Sequence, residues 1–303
     1  MRFTKPLFLA VGFGLLAYVL SHANIAQIWA QVSNLDASAV IVVFLIYLFY
    51  FGADVVSWQF TFETVPLQFK WIGRLFFVRM VGEAYNNITP MGSVGGEPLK
   101  VWLLKSNFDV PLGDTSASLI LSKTASMFSL VLFALGAVII AFEHPNLSQT
   151  HRLLILGAFA WFVFNIVVFF LMQRLRLSSF TATRLGRSRF GEKLAGLVAG
   201  MHGMDEQFAR FYAPPRNRLW WAMVWAMGNW VFGAAELYAI LYFLGHPISW
   251  TEAWLIESLL QLIRTVVFFI PAGLGAQEGT LMFAYAAITG NPTPGVAAAL
   301  VRR

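Results

Sequence analysis

Long apolar runs separated by short polar stretches dominate this chain. The runs from Ala39 to Trp58 and from Ser126 to Phe142 have the character of membrane spans, which need about 20 consecutive apolar residues. The pattern predicts helices near 6–22, 38–59, 115–142, 152–173 and 219–244. Two further apolar regions are broken. Residues 71–105 are interrupted by "NNITPMGSVGGEP", and residues 251–290 by "IPAGLGAQEG". The expected fold is an all-α polytopic membrane protein. It would form one transmembrane domain over 1–303, a helix bundle with two Gly/Pro-interrupted, re-entrant segments.

Composition agrees with the pattern. Of 303 residues 58% are hydrophobic and only 12% charged, against about 25% charged in a soluble domain. With no cysteine, thiolate ligands, thiol nucleophiles and disulfides are all excluded. The first apolar run, Leu7–Leu20, follows Arg2 and Lys5 without a clear small-residue cleavage site and reads as a retained signal anchor.

The net charge of +6 follows topology and does not call for nucleic acid as a partner. Nine basic residues against three acids lie within 174–218, which the positive-inside rule makes cytoplasmic, together with the N-terminus. Stretches 21–37, 143–151 and 245–251 carry no Lys or Arg and fall on the opposite side. Inside the basic loop, Phe190, Leu194, Leu197, Met201 and Phe208 recur at helical spacing. That helix would lie either in the lipid interface or against the spans. Trp220, Trp221 and Trp225 suit an interfacial anchor.

The two interruptions match when aligned on proline. Pro90 is followed by Gly92 and Glu97, and Pro271 at the same offsets by Gly273 and Glu278; seven residues earlier lie Glu83 and Arg264. Paired Gly/Pro-broken segments in two halves of a chain point to a transporter's binding site. Irregular backbone at membrane depth survives only when buried in protein or lining a wet cavity. The two elements would then be copies of one internal repeat, whose inversion the spacing alone leaves open.

Charges at membrane depth need a reason, since each costs about 2.5–3.5 kcal/mol on insertion scales. Asp54, Arg79, Glu83, Glu97, Lys100, Lys123, Glu236, Glu257, Arg264 and Glu278 all fall at or near such depth. On a helix, Arg79 shares a face with Glu83, Glu97 with Lys100, and Glu257 with Gln261 and Arg264. Ser118, Ser122, Ser126 and Ser129 form a stripe beside Lys123, as a pathway or a close-packing surface. Glu97, before Pro98, is either an N-cap or a headgroup or proton ligand, and Glu278 has the same two readings. Half-helices starting near Glu97 and Gln277 would present free N–H groups to an anion such as phosphate. Arg79, Lys100, Lys123 and Arg264 would add charged donors.

"GEAYNNITPMGSVGGEPLK" followed by "ASLILSKTASM", and "FFIPAGLGAQEG" followed by "GVAAALVRR", resemble the lysylphosphatidylglycerol synthase transmembrane-region family. That family includes the flippase half of the multiple peptide resistance factor and hopanoid-associated membrane proteins. The resemblance covers roughly residues 10–303. It implies lipid translocation around a headgroup cavity and marks Asn87, Pro90, Gly95, Gly96, Glu97 and Lys100 in the first segment. In the second it marks Arg264, Pro271, Gly273, Gly275 and Glu278, then Arg302, with Lys123 a looser match. The sequence has no soluble aminoacyl-transferase domain, so no synthase activity is expected. In relatives the last helix continues through a full span, so a helix cut short at Arg303 is expected here.

The substrate expected from these readings is a membrane lipid with an anionic or phosphate headgroup, moved between leaflets of a bacterial inner membrane without a cofactor. A proton-driven solute transporter using Glu236 or Glu257 is a second reading. A headgroup-modifying enzyme is a third, although the five histidines are scattered and no P-loop, HExxH or nucleophile elbow occurs.

Overall fold

The computed structural model describes residues 4–88, 95–174, 216–267, 270 and 273–303. Among them it contains helices and no strand. The eleven helices are α1 (Thr4–His22), α2 (Ile25–Ser33), α3 (Ala37–Gln59), α4 (Phe69–Ile88), α5 (Gly96–Phe108), α6 (Leu112–Glu143), α7 (Gln149–Arg174), α8 (Arg216–Phe243), α9 (Trp250–Val266), α10 (Ala276–Thr289) and α11 (Thr293–Val301). Pro90, Pro271 and the amphipathic pattern of the basic loop lie outside the described residues.

By length and composition α3, α6 and residues 149–168 of α7 are able to cross a membrane. The first expected helix is α1, and the chain bends sharply after it. Ala10–His22 and Ile25–Ser33 meet at 88°. The Asn24 side chain accepts the Gln27 N–H and starts a new helix where a connection was expected. α8 has 28 residues, about 42 Å, but carries Asn229 and Glu236 and is not among the apolar spans. It lies along α3 and also packs on α6, α9 and α11.

The surface is inverted relative to a water-soluble protein. Phe44 on α3 and Trp161 on α7 are each 56% exposed, while Lys100, Glu257 and Glu278 are fully buried. Such a distribution suits a hydrocarbon solvent, in which apolar side chains face out at no cost and charges must be satisfied internally. The fold is therefore the expected all-helical membrane bundle.

The broken segments form closely packed helices, of which α4 has 20 residues and α5 has 13. Gly82 meets Lys100, and Asn86 meets Gly96, so α4 and α5 run antiparallel. Their approach depends on Gly96, where a Cβ would stand 2.1 Å from the Gly82 carbonyl oxygen. α9, α10 and α11 have 17, 14 and 9 residues, each below the length of a span. Between α9 and α10, Gly275 has φ +76°, and a Cβ there would meet the Leu16 backbone nitrogen of α1 at 2.6 Å. Only glycine satisfies both the angle and the contact.

Two charged clusters around one chamber

The first cluster is a ladder of alternating charge. Asp54 on α3 pairs with Arg79 on α4, and Arg79 lies 3.9 Å from Glu83. Buried Lys100 on α5 reaches Glu83 at 3.1 Å and Glu97 at 3.2 Å, and Glu97 continues to Lys123 on α6 at 3.4 Å. The six charges sum to zero, which makes the burial of Asp54 and Lys100 among them tolerable. The Arg79 guanidinium also lies 5.5 Å from the centre of the Phe51 ring.

The sequence left Glu97 open between cap and ligand. α5 begins earlier, with Gly95 in the N-cap position, so Glu97 sits inside the first turn and spends its carboxylate on the two lysines. The capping contact comes from the neighbouring helix instead. Asn86 Oδ1 accepts the Gly96 N–H at 2.6 Å. Asn86 lies one residue from the family-marked Asn87, whose side chain is outside the described atoms. An i, i+3 relation to Glu83 was the available signal, and Asn86 donates weakly to that carboxylate at 3.4 Å.

The second cluster is built on the last helix. Arg302 grips Glu257 of α9 through two N–H groups, at 2.5 and 3.1 Å, and Glu236 of α8 through Nε at 3.0 Å. Gln261 donates to Glu257 at 2.5 Å, realising half of the expected Glu257/Gln261/Arg264 stripe. Glu278 caps its helix and also forms an internal ion pair: one oxygen accepts the Gly275 N–H at 2.9 Å, and the other accepts from Arg303 at 2.5 Å. One N–H at each half-helix start is therefore taken by a side chain, against the expectation of free donors there. Gly273, with φ +60°, lies at the break itself.

Both clusters open on one cavity of about 420 Å³. Arg79 and Glu83 of the first and Glu236, Arg302 and Arg303 of the second line it, with Arg264 and Gln277 beside Tyr47 and Tyr50. Arg264 is exposed there and makes no ion pair among the described residues. Sequence reasoning found the charges but not Tyr47, Tyr50, Phe51 and Asp54 as one face of α3. Their i, i+3, i+4, i+7 spacing carried that signal.

Other sequence candidates sit elsewhere. Lys123, half-exposed, lines a separate groove and not the chamber. Part of the serine stripe is packing surface: Ser118 accepts from Trp58 Nε1, and Ser129 donates to the Met223 carbonyl. His151 and His22 bond locally to Ser148 and Ser21, His144 and His246 bond across the bundle to Glu252 and Gln31, and none of the four lines the chamber.

The family model described as "Lysylphosphatidylglycerol synthase TM region" matches residues 7–303. A UPF0104 membrane protein of Methanothermobacter thermautotrophicus is 21% identical over 318 residues, covering 100% of this chain and 91% of its own. Another, of Methanocaldococcus jannaschii, is 21% identical over 314 residues, covering 99% and 89%. No solved structure matches this chain.

Proposed function

The chain belongs to the lysylphosphatidylglycerol synthase transmembrane-region family, and from that premise we propose that it moves an anionic or phosphate-bearing lipid between membrane leaflets. The observation that carries this reading is the chamber. It lies among charges that are otherwise held in ion pairs and offers one guanidinium, Arg264, with no ion pair among the described residues. A phosphate entering there meets Arg264 without breaking an existing pair, in a medium where charge-assisted contacts are strong. The Arg302 and Arg303 side chains stay committed to Glu236, Glu257 and Glu278.

On this reading the α4/α5 and α9/α10 pairs are re-entrant, and the two breaks flank the headgroup path. The membrane is a bacterial inner membrane with the N-terminus cytoplasmic, an orientation supported by the basic character of 174–218. The test is movement of a headgroup-labelled phosphatidylglycerol across proteoliposomes. Rates above protein-free vesicles support the reading, and equal rates reject it.

One observation favours a second reading. Glu236 and Glu257 share a single guanidinium, and Glu236 lines the chamber, so a proton is the simplest way to balance that corner. Proton-driven solute movement without lipid movement would select it.

A further inference from the structure

A groove of about 520 Å³ runs between α6, α7 and α8 and reaches the end of α9. Its walls are apolar, chiefly Met127, Leu130, Trp161, Phe162 and Ile166, and its lining includes no carboxylate. Met127 and Trp161 are 40% and 56% exposed, so the groove is open to the apolar outside of the bundle. Lys123 also lines it, with its side chain 49% exposed. The Lys123 ammonium lies 3.4 Å from Glu97, but that carboxylate is already held by Lys100 at 3.2 Å. The alternating ladder thus ends on a cation shared thinly with one acid, at the mouth of an apolar slot. On α9, Thr265 and Val266 line this groove while the preceding residue, Arg264, lines the chamber.

We propose that this groove is a lateral docking site for an anionic glycerophospholipid of the surrounding bilayer. Its phosphate lies at Lys123 and one acyl chain lies between α6 and α7. The shape matches an amphiphile, apolar along its length and cationic at one position. A neutral or zwitterionic lipid fits the walls equally well but gains less at Lys123, so charge sets the preference. The inference deepens the lipid-transport reading and rests on it for why a docked lipid should lie next to the chamber.

The probe is phosphatidylglycerol carrying a diazirine midway along one acyl chain, compared with the matching phosphatidylcholine, in phosphatidylcholine nanodiscs containing the intact protein. After irradiation, adducts at Met127, Trp161 and Ile166 are quantified by mass spectrometry. Phosphatidylglycerol adducts should exceed phosphatidylcholine adducts about threefold, the scale of one partly exposed charge contact. Lys123→Gln should erase that preference, and Lys123→Arg should keep it. Equal labelling by both lipids on the wild-type protein overturns the proposal whatever the variants do, as does a preference that survives Lys123→Gln. A preference without lipid movement in proteoliposomes leaves the groove standing and rejects the transport reading. Lipid movement without preference does the reverse.

Discussion

The ammonium of Lys100 lies 3.1 Å from the carboxylate of Glu83, joining α5 to α4 across 17 positions of sequence. Lys100 is fully buried, and its alkyl chain fills the space left by Gly82, where a Cβ would meet Lys100 Cε at 2.3 Å. Charge pairing and close backbone approach are therefore one feature of the hairpin.

Removing Lys100 should be costly. Lys100→Met leaves Glu83 and Glu97 without their shared cation, and breaking such a pair costs about 3–5 kcal/mol. Thermal unfolding in detergent should show a clear drop in midpoint. Adding Glu83→Gln to Lys100→Met should recover part of it, because the orphaned charge is then gone; strictly additive losses would contradict the pairing.

Gly96→Ala should separate α5 from α4. The new Cβ points at the Gly82 carbonyl, which is backbone and cannot rotate away, so a loss of about 1–3 kcal/mol is expected. Gly157→Ala on α7, with nothing within 4 Å of the added Cβ, is the control. It should be neutral or gain up to about 1 kcal/mol.

Acid should weaken the α6–α9 end of the bundle through Glu252. Burial pushes this carboxyl up, but the Ser249 N–H and hydroxyl and the His144 ring outweigh it and hold it below the ordinary value of 4.5. A depressed carboxyl contributes stability above its unfolded value and loses it as pH falls through the folded one. Unfolding midpoints of the wild type should therefore fall on acidification more steeply than those of Glu252→Gln. Parallel pH profiles would count against this contribution.

Much of this was legible along the chain. The uninterrupted runs gave α3, α6 and α7, and helical spacing gave the Glu97–Lys100 contact, because local periodicity decides both. What escaped was joined across long separations. Asp54 meets Arg79, Glu83 meets Lys100, and Glu236 meets Arg302 66 positions on, and no local pattern encodes such partners. Glu97 misled as a cap because Pro98 marks a helix start well, yet the backbone had already turned at Gly95 under the side chain of Asn86. Arg264 was recognised as a charge at a break. Only its place in the chamber shows that, unlike the arginines around it, it forms no ion pair among the described residues.

Arg264 is accordingly the residue on which lipid transport should depend most. The most direct measurement is transbilayer movement of headgroup-labelled phosphatidylglycerol in proteoliposomes containing wild type or Arg264→Ala. Loss of one charged hydrogen-bonding contact, about 1.5–3 kcal/mol, should slow movement about tenfold or more. The unfolding midpoint should stay near wild type, since no ion pair is broken. Wild-type rates in a folded Arg264→Ala protein would contradict the assignment of the chamber as the headgroup path.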